Sequence, residues 1–365
     1  MDFDLLAKIV NTPGISGYED EVQAVVAAEM RAVCDEVRDD RMGNVIGLKK
    51  AANRPGGFDT LRTQPPVRVV LAAHVDEIGA IVKHIDGDGY IRFQRVGGLY
   101  PQTLQSQMVI VHGRKPLKGV IAPDFNLREG DKIPSPDDLL IDLGLPKETV
   151  EELVQLGDPI TFAQELVQLN DKVVMGRNFD DRIGTFCMLE AMRRVGDAQV
   201  DAYFVSTVQE EVGVRGMPVA AFAIEPDLGL AIDGSLVRAA HVKPHSVTCD
   251  MGKGAGIYLM DNLTIGDRRL VRFLCDLCEK EGIPYQRNIG GGTDASAMQR
   301  SRIGAIATTV GAPVRYMHST VQLCHVDDIE ATIRLLAAFV EHAHEFAQHR
   351  GGDTGQHGEA ASETM

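Results

Sequence analysis

Apolar, strand-like runs that end just before histidine or carboxylate residues are the feature that most limits how this chain can fold. His74 comes directly after VRVVLAA, the pair Glu210 and Glu211 follows AYFVSTVQ, and Asp233 follows DLGLAI. His318 follows a further run, AIATTVGAPVRYM. In an open α/β sheet, ligands bind beyond the carboxyl ends of the strands. The sequence therefore predicts an α/β fold that gathers these side chains at one sheet edge.

The residue types in this set are those of a two-metal hydrolytic site, which is built from histidines and carboxylates. Asp180 lies in NFDDRIG at the predicted start of a helix, a place that suits a carboxylate bridging two cations. His74 and Asp76 lie two residues apart in an extended segment, so the carboxylate can hold the imidazole in one tautomer. If one of Glu210 and Glu211 binds a metal, the other can keep a pKa suited to proton transfer.

Each member of the set also has an ordinary explanation when it is taken alone. Asp180 fits the N-cap of a helix, and Asp233 fits a turn at the end of a strand. Glu210 and Glu211 fit a solvated loop, and His318 fits a loop at the surface. The prediction of chemistry therefore depends on the ordered set and not on any one residue.

Two local motifs predict the structure of the segments that precede helices. Gly290-Gly-Gly-Thr-Asp294 lacks the lysine and the spacing of a phosphate-binding loop, so a tight turn lining the site is the preferred prediction. Ser16-Gly-Tyr-Glu19 has the spacing of a capping box, which predicts a helix that runs to about Val33.

Composition and charge indicate a soluble protein of the cytoplasm. The net charge of −15 on 365 residues disfavours nucleic acid and anionic membranes as partners. No apolar run approaches the roughly 20 residues of a membrane span, and the N-terminal residues lack the order of a secretory signal. The six cysteines are scattered and do not form a disulfide framework. Cys275 and Cys278 fall on the apolar face of a predicted helix, which favours a core position over a redox pair.

Strand and helix patterns divide the chain into two predicted domains. From Ile81 to about Phe162 short alternating strands predominate, interrupted by one short helix near Lys147–Leu156. Helices and strands alternate before and after this part, so a small β-rich domain is expected to be inserted into a larger α/β domain. The predicted boundaries are 1–78 and 165–350 for the larger domain, 79–164 for the insertion and 351–365 for a polar, disordered tail.

The ordered set resembles the pattern of co-catalytic dinuclear metallopeptidases. More specifically, AHVDEIGAIV, NFDDRIG, VQEEVGVRG, AIDG, GGTDASAM and RYMHS resemble the tetrahedral aminopeptidase family, also called the glutamyl or deblocking aminopeptidase family. The resemblance covers roughly residues 3–347. It implies an α/β fold: a phosphorylase/hydrolase-like three-layer catalytic domain with an inserted small β-barrel-like domain used for dimerisation and assembly.

The resemblance also implies a set of metal ligands. Asp180 would bridge two divalent metal ions in each subunit. His74 and Asp233 would complete one metal site, and Glu211 and His318 would complete the other. Zinc is the metal expected first, and cobalt or manganese would suit the same nitrogen and oxygen ligands.

The activity that the resemblance implies is a metal-dependent aminopeptidase, a hydrolase acting on peptides with a free N-terminus. Glu210 would be the general base, and Asp76 would orient His74. Family members assemble from dimers into homo-oligomers, usually dodecamers. The segment STVQLCHVDD after His318 lacks a glutamate common in relatives, which leaves the details of assembly and substrate pocket open.

Other functions are also compatible with parts of this pattern. A related dinuclear amidohydrolase or deacylase would keep the metal site and act on a different substrate. An endoglucanase would use Glu210 with another carboxylate and would be insensitive to chelators. A non-catalytic metal-binding or assembly protein would not need the full acid–base set. The preferred N-terminal residue and the native metal do not follow from the sequence.

Overall fold

An eight-stranded mixed sheet is the largest element of the computed structural model, which describes residues 1–52, 66–126 and 132–349. With strands numbered in chain order, the order across the sheet is β1 (Glu36–Asp39), β2 (Val45–Lys49), β12 (Asp201–Thr207), β3 (Arg68–His74), β13 (Leu228–Ile232), β17 (Ile306–Gly311), β15 (Ala255–Met260) and β16 (Tyr285–Ile289). Strands β12, β3, β13 and β17 run parallel, and β2 and β15 pair antiparallel to this block. The central strands β3 and β13 are buried on both faces of the sheet, and for this reason their sequences are continuous apolar runs.

Helices pack against the sheet through two separate core clusters. The helices of this domain are α1 (Phe3–Asn11), α2 (Asp20–Arg31), α4 (Phe179–Arg194), α5 (Gly216–Ile224), α6 (Arg268–Glu281), α7 (Ala295–Arg300) and α8 (Val326–His349). Val69 and Leu71 of β3 belong to the cluster that contains α4 and α8, whereas Val70 and Ala72 belong to the one that contains α5 and α7. The α/β class is thus confirmed, and the three-layer, phosphorylase/hydrolase-like description stays a prediction.

The predicted β-rich insertion contains a closed barrel. Its strands, in order around the barrel, are β4 (Gly79–Ile85), β5 (Ile91–Val96), β8 (Ile141–Asp142), β7 (Pro116–Ile121), β6 (Met108–His112) and β9 (Pro159–Phe162). Alternating side chains such as Val109 and Val111 fill a core of its own. The short helix α3 (Lys147–Leu153) lies between β8 and β9, as predicted. The small barrel is confirmed, and the domain boundaries stay predictions.

A second, five-stranded sheet connects distant parts of the chain. Its order is β10 (Val167–Asn170), β11 (Val173–Gly176), β19 (Gln322–His325), β18 (Pro313–Arg315) and β14 (Ser235–Leu236). Short 3₁₀ helices span Pro101–Thr103, Pro136–Asp138 and Pro244–Ser246. Because β11 leads into α4 and β18 leads into the His318 loop, this sheet brings the Asp180 and His318 segments together.

The predicted capping box before α2 is wrong. Helix α2 begins at Asp20, and no side chain caps its N-terminus. The hydroxyl of Ser16 donates to Asp76 instead, and Glu19 accepts hydrogen bonds from the backbone N–H groups of Gly17 and Gln209. The two side chains that the motif assigned to capping therefore form hydrogen bonds with partners outside the helix.

Other sequence predictions can be compared with the part of the chain that the structure describes. All six cysteines are free, and Cys275 and Cys278 are buried on α6 as predicted. No helix in the described ranges has the length and apolar character needed to cross a membrane. Most of the predicted loop 51–66 and the tail 351–365 lie outside the described residues.

Candidate active site

The predicted site residues come from neighbouring strand ends. His74 is the last residue of β3, and Thr207, the last residue of β12, is its partner in the parallel ladder. Glu210 and Glu211 follow three and four residues after Thr207. Asp233 follows β13, which pairs with β3 on its other side. These side chains therefore emerge at one edge of the sheet, as the sequence predicts.

Asp180 lies between the two histidines. One of its carboxylate oxygens is 3.2 Å from Nε2 of His74, and the other is 3.3 Å from Nε2 of His318. Asp180 lies in the first turn of α4 with non-helical backbone angles, and its backbone N–H donates to Oε1 of Gln322. Its carboxylate therefore faces the histidines and is not used to cap the helix.

Two groups of donor atoms share Asp180. In the first, ligand atoms of His74, Asp180 and Asp233 all lie within 4.8 Å of one another. In the second, the same limit holds for Asp180, Glu211 and His318. This grouping is the one that the resemblance implied.

Each histidine is oriented by a backbone carbonyl. Nδ1 of His74 lies 3.2 Å from the carbonyl oxygen of Asp76, and Nδ1 of His318 lies 2.9 Å from that of Gly98. A carbonyl oxygen can only accept, so Nδ1 carries a proton in both rings, and Nε2 is the nitrogen that would bind a cation in place of a proton. Both Nε2 atoms face Asp180, which is the orientation a metal ligand needs.

Buried negative charge dominates the electrostatics of the site. Burial, together with the neighbouring Asp180, raises the pKa of Glu211 to about 8. Burial also raises the pKa of Glu210 and Asp233 well above their usual range, and nearby carboxylates add to both shifts. Carboxylates that raise one another's pKa in a buried place lack compensating positive charge. The donor set and its charge thus fit divalent cations.

Asp76 holds the segment that carries the two glutamates. Its carboxylate accepts the backbone N–H of Glu210 at 2.9 Å and that of Glu211 at 3.1 Å. It also accepts the hydroxyl of Ser16 at 2.6 Å. Its contact with Nδ1 of His74 is longer, at 3.5 Å. The sequence predicted the histidine contact, but it gave no sign of the bonds to the backbone.

A buried ion network beside the site was missed by the sequence analysis. Glu77 accepts hydrogen bonds from Nε of Arg177 at 2.7 Å and from the side chain of Asn178 at 3.0 Å. Arg182, fully buried, lies 3.5 Å from the same carboxylate and donates to the carbonyl oxygen of Gly14. The available signs were the two arginines that flank Asp180 in the sequence and the glutamate that directly follows Asp76. The network joins the start of α4 to the N-terminal segment.

A further buried carboxylate, Asp294, lies near His74 and Asp76. Thr207 donates its hydroxyl to Asp294 at 2.6 Å, and burial raises the pKa of Asp294 to about 6. One oxygen each of Asp181 and Asp294 has no hydrogen-bond partner within the described residues. The sequence predicted a turn at 290–294 that lines the site, and Gly291, Gly292 and Thr293 do line the same pocket as Glu210.

The site opens into a pocket of about 480 Å³. The carboxylates Asp180, Glu210, Glu211 and Asp233 line it together with His318. The rest of the lining is uncharged and includes Leu236, Tyr258, Asn262, Leu263 and Met317. The candidate metal ligands therefore lie in a pocket with room for part of a ligand.

Several known proteins that are similar to this chain are named aminopeptidases. Residues 59–335 match a family model described as M42 glutamyl aminopeptidase. A lysyl aminopeptidase from Pyrococcus furiosus is 34% identical over 354 residues, which cover 93% of this chain and 97% of that protein. Both matches include the segments that carry the site residues.

Solved structures share the complete fold. The aminopeptidase APDkam598 from the archaeon Desulfurococcus kamchatkensis matches with a TM-score of 0.89 at 33% identity, covering 97% of this chain and 98% of that chain. The TET1 peptidase of Pyrococcus horikoshii, which can assemble into a tetrahedron or a large octahedral shell, matches with a TM-score of 0.79 at 32% identity. That match covers 93% of this chain and 98% of the other.

Proposed function

This chain belongs to the M42 glutamyl aminopeptidase family, and from that membership we propose that it is a dinuclear metallo-aminopeptidase. It releases N-terminal residues from peptides that have a free amine. The observation that carries the proposal is that two donor groups share the carboxylate of Asp180. Shared carboxylates are typical of hydrolases that hold two divalent ions close together.

His74, Asp180 and Asp233 would hold one cation, and Asp180, Glu211 and His318 would hold the other. Three protein ligands with one position left for water or substrate is the pattern of catalytic zinc sites. Zinc is therefore the first candidate, and cobalt or manganese would suit the same ligands. Cations bound there would polarise the scissile carbonyl and lower the pKa of water.

Glu210 acts as the general base. It lines the pocket but belongs to neither donor group found among the described residues. Its carboxylate takes a proton from the water that attacks the carbonyl carbon. As the carbon–nitrogen bond breaks, Glu210 passes this proton to the nitrogen of the leaving amine. A pKa raised by burial suits this role, because a base that must also act as an acid needs a pKa near the working pH.

Asp76 acts as a positioning residue. By accepting the N–H groups of Glu210 and Glu211, it fixes the base and one ligand relative to His74. Its backbone carbonyl also sets the tautomer of that histidine. A displacement of about 1 Å at this place would lower the rate strongly, because proton transfer requires close alignment.

Assembly is proposed from the relatives. The TET1 peptidase forms closed shells, and it shares its fold with most of this chain. We propose that this protein forms a homo-oligomer built from dimers, with the dodecamer as the expected size. The barrel is the proposed dimerisation and assembly domain.

A substrate panel tests the proposed activity. Aminoacyl chromogenic substrates and their N-acetylated forms are incubated with the enzyme, with and without a chelator. The proposal predicts chelator-sensitive cleavage of the free-amine forms only. Cleavage of the acetylated forms would indicate a deacylase, and chelator-insensitive hydrolysis of polysaccharide would indicate an endoglucanase.

A further inference from the structure

The pocket that contains the candidate metal ligands is also lined by apolar side chains. They are those of Leu236 at the end of β14, Leu263 in the loop after β15, and Met317 before His318. Leu236 and Leu263 both lie beside the glycine turn, since a Cβ at Gly290 would be 3.9 Å from Cδ1 of Leu236 and one at Gly292 would be 3.5 Å from Cδ1 of Leu263. Three distant parts of the sequence thus contribute an apolar wall to the pocket.

Exposure of these leucines indicates that the wall has room for a ligand. Leu263 is 53% exposed and Leu236 is 39% exposed, although both line a concave surface. A turn of glycines lies next to them. A Cβ added at Gly292 would lie 3.5 Å from Cδ1 of Leu263, and Gly291 has a positive φ of 83°. The turn therefore keeps this wall free of side chains that would fill it.

The charged side chains of the pocket are those already assigned to the proposed chemistry. Among the described residues that line the pocket there is no lysine and no arginine, and the carboxylates are the candidate metal ligands and Glu210. Asp261 precedes the lining residues Asn262 and Leu263, but it is buried. Its Oδ1 accepts the N–H groups of Leu263 and Thr264 at 2.7 and 2.6 Å, and its Oδ2 accepts the hydroxyl of Thr293 at 3.2 Å. Asp261 is thus buried, is not among the residues that line the pocket, and already accepts hydrogen bonds on both oxygens.

We propose that the Leu236–Leu263–Met317 wall is the specificity pocket for the N-terminal side chain and selects an uncharged, apolar residue. This inference rests on the proposed aminopeptidase function, which places the N-terminal residue of the substrate beside the two donor groups that share Asp180. An apolar side chain would cover the exposed leucines. A charged side chain would lose water there without gaining a partner. The chain therefore differs in preference from relatives named for lysyl or glutamyl residues.

Selectivity is measured as kcat/KM for leucyl, methionyl, glutamyl and lysyl substrates with one leaving group. The leucyl and methionyl substrates are expected to be favoured over the charged ones by about tenfold or more. Leu263→Glu should raise the lysyl-to-leucyl ratio about 10- to 100-fold. The matched control is Ile303→Glu, because Ile303 is fully exposed and precedes the amino end of β17, at the opposite edge of the sheet. The control should leave the ratio unchanged.

Calorimetric binding of free leucine, glutamate and lysine adds a readout that does not depend on turnover. Leucine should bind tighter than the other two to the wild-type protein, and Leu263→Glu should reverse the order of leucine and lysine. A preference for glutamyl or lysyl substrates, with chelator-sensitive activity, would overturn this inference and leave the proposed function intact. If no free-amine substrate is cleaved, the proposed function fails. Equal binding of the three amino acids would then overturn the pocket assignment as well.

Discussion

Ser16 donates its hydroxyl proton to Asp76 over 2.6 Å. This bond joins the loop between the first two helices to the carboxylate that holds the backbone of Glu210 and Glu211. The N-terminal segment is therefore part of the scaffold of the site and not only a cover on the sheet.

Ser16→Ala should lower kcat and leave KM nearly unchanged. The variant leaves a buried carboxylate with one fewer donor, and a hydrogen bond to a charged group contributes about 1.5–3 kcal/mol. A loss of kcat of about tenfold is expected because Glu210 is held less firmly. Ser135→Ala, at an exposed serine, is the matched control. Parallel increases in KM and losses of stability, without a change in kcat at saturating substrate, would contradict the positioning role.

Glu210→Gln should keep the fold and the metal content and lose most turnover. Amide nitrogen and oxygen cannot take up and return the proton, and general acid–base catalysis contributes about 10²- to 10⁴-fold. The measurement is kcat together with metal analysis of the purified variant. Glu152→Gln, on the exposed surface of α3, should behave as wild type. Turnover of the Glu210 variant at the normal rate would show that another group is the base.

Gly98→Ala should weaken one of the two metal sites. A Cβ at this position would lie 2.5 Å from Nδ1 of His318, so the ring must leave its present position between Gly98 and Asp180. The expected result is a metal content that falls from two ions per chain toward one under limiting metal. Gly87→Ala is the control, since a Cβ there would meet nothing within 4 Å. Unchanged affinity for both ions in the Gly98 variant would exclude His318 as a ligand.

Glu77→Gln should destabilise the protein in a pH-dependent way. Burial alone would raise the pKa of Glu77, but the guanidinium groups of Arg177 and Arg182 outweigh it and hold the pKa below its ordinary value. A lowered folded-state pKa stabilises the fold above the unfolded value of about 4.3. That contribution is lost as the pH falls through the folded-state pKa.

Urea unfolding at several pH values measures this effect. At pH 7 the free energy of unfolding should fall by about 3–5 kcal/mol, because the variant leaves buried arginines unpaired. The difference between wild type and variant should shrink as the pH falls below the unfolded-state value of about 4.3 and through the lower folded-state pKa of Glu77. Glu36→Gln is the control, because the ion pair of Glu36 with Lys50 is exposed and contributes little. A difference that stays constant with pH would exclude the ionised pair as its origin.

The sequence predicted much of the fold and the convergence of the site. The runs before His74 and Asp233 are central strands because their residues are apolar on both faces. Parallel pairing then brings their last residues together without further information. The alternating strands after Gly79 likewise predicted a β-rich domain, since each strand needs one buried face, and the family resemblance implied that this domain is a barrel.

Other features depend on contacts between distant segments. The capping motif at Ser16 and Glu19 was misassigned because Asp76 and the N–H of Gln209 are the partners of these side chains. No local pattern contains those pairings. The apolar wall could not be predicted either, since Leu236 and Met317 become neighbours only after the second sheet has formed.

The most direct test of the central claim is the metal stoichiometry of wild type and Asp180→Asn. Asp180 belongs to both donor groups, so its loss should weaken both sites together. Titration of chelator-treated protein with Zn²⁺, followed by calorimetry, is expected to give two ions per chain in the wild type. Neither ion should bind tightly to the variant. Two ions bound with wild-type affinity by Asp180→Asn, or one ion per wild-type chain, would contradict a dinuclear centre bridged by Asp180.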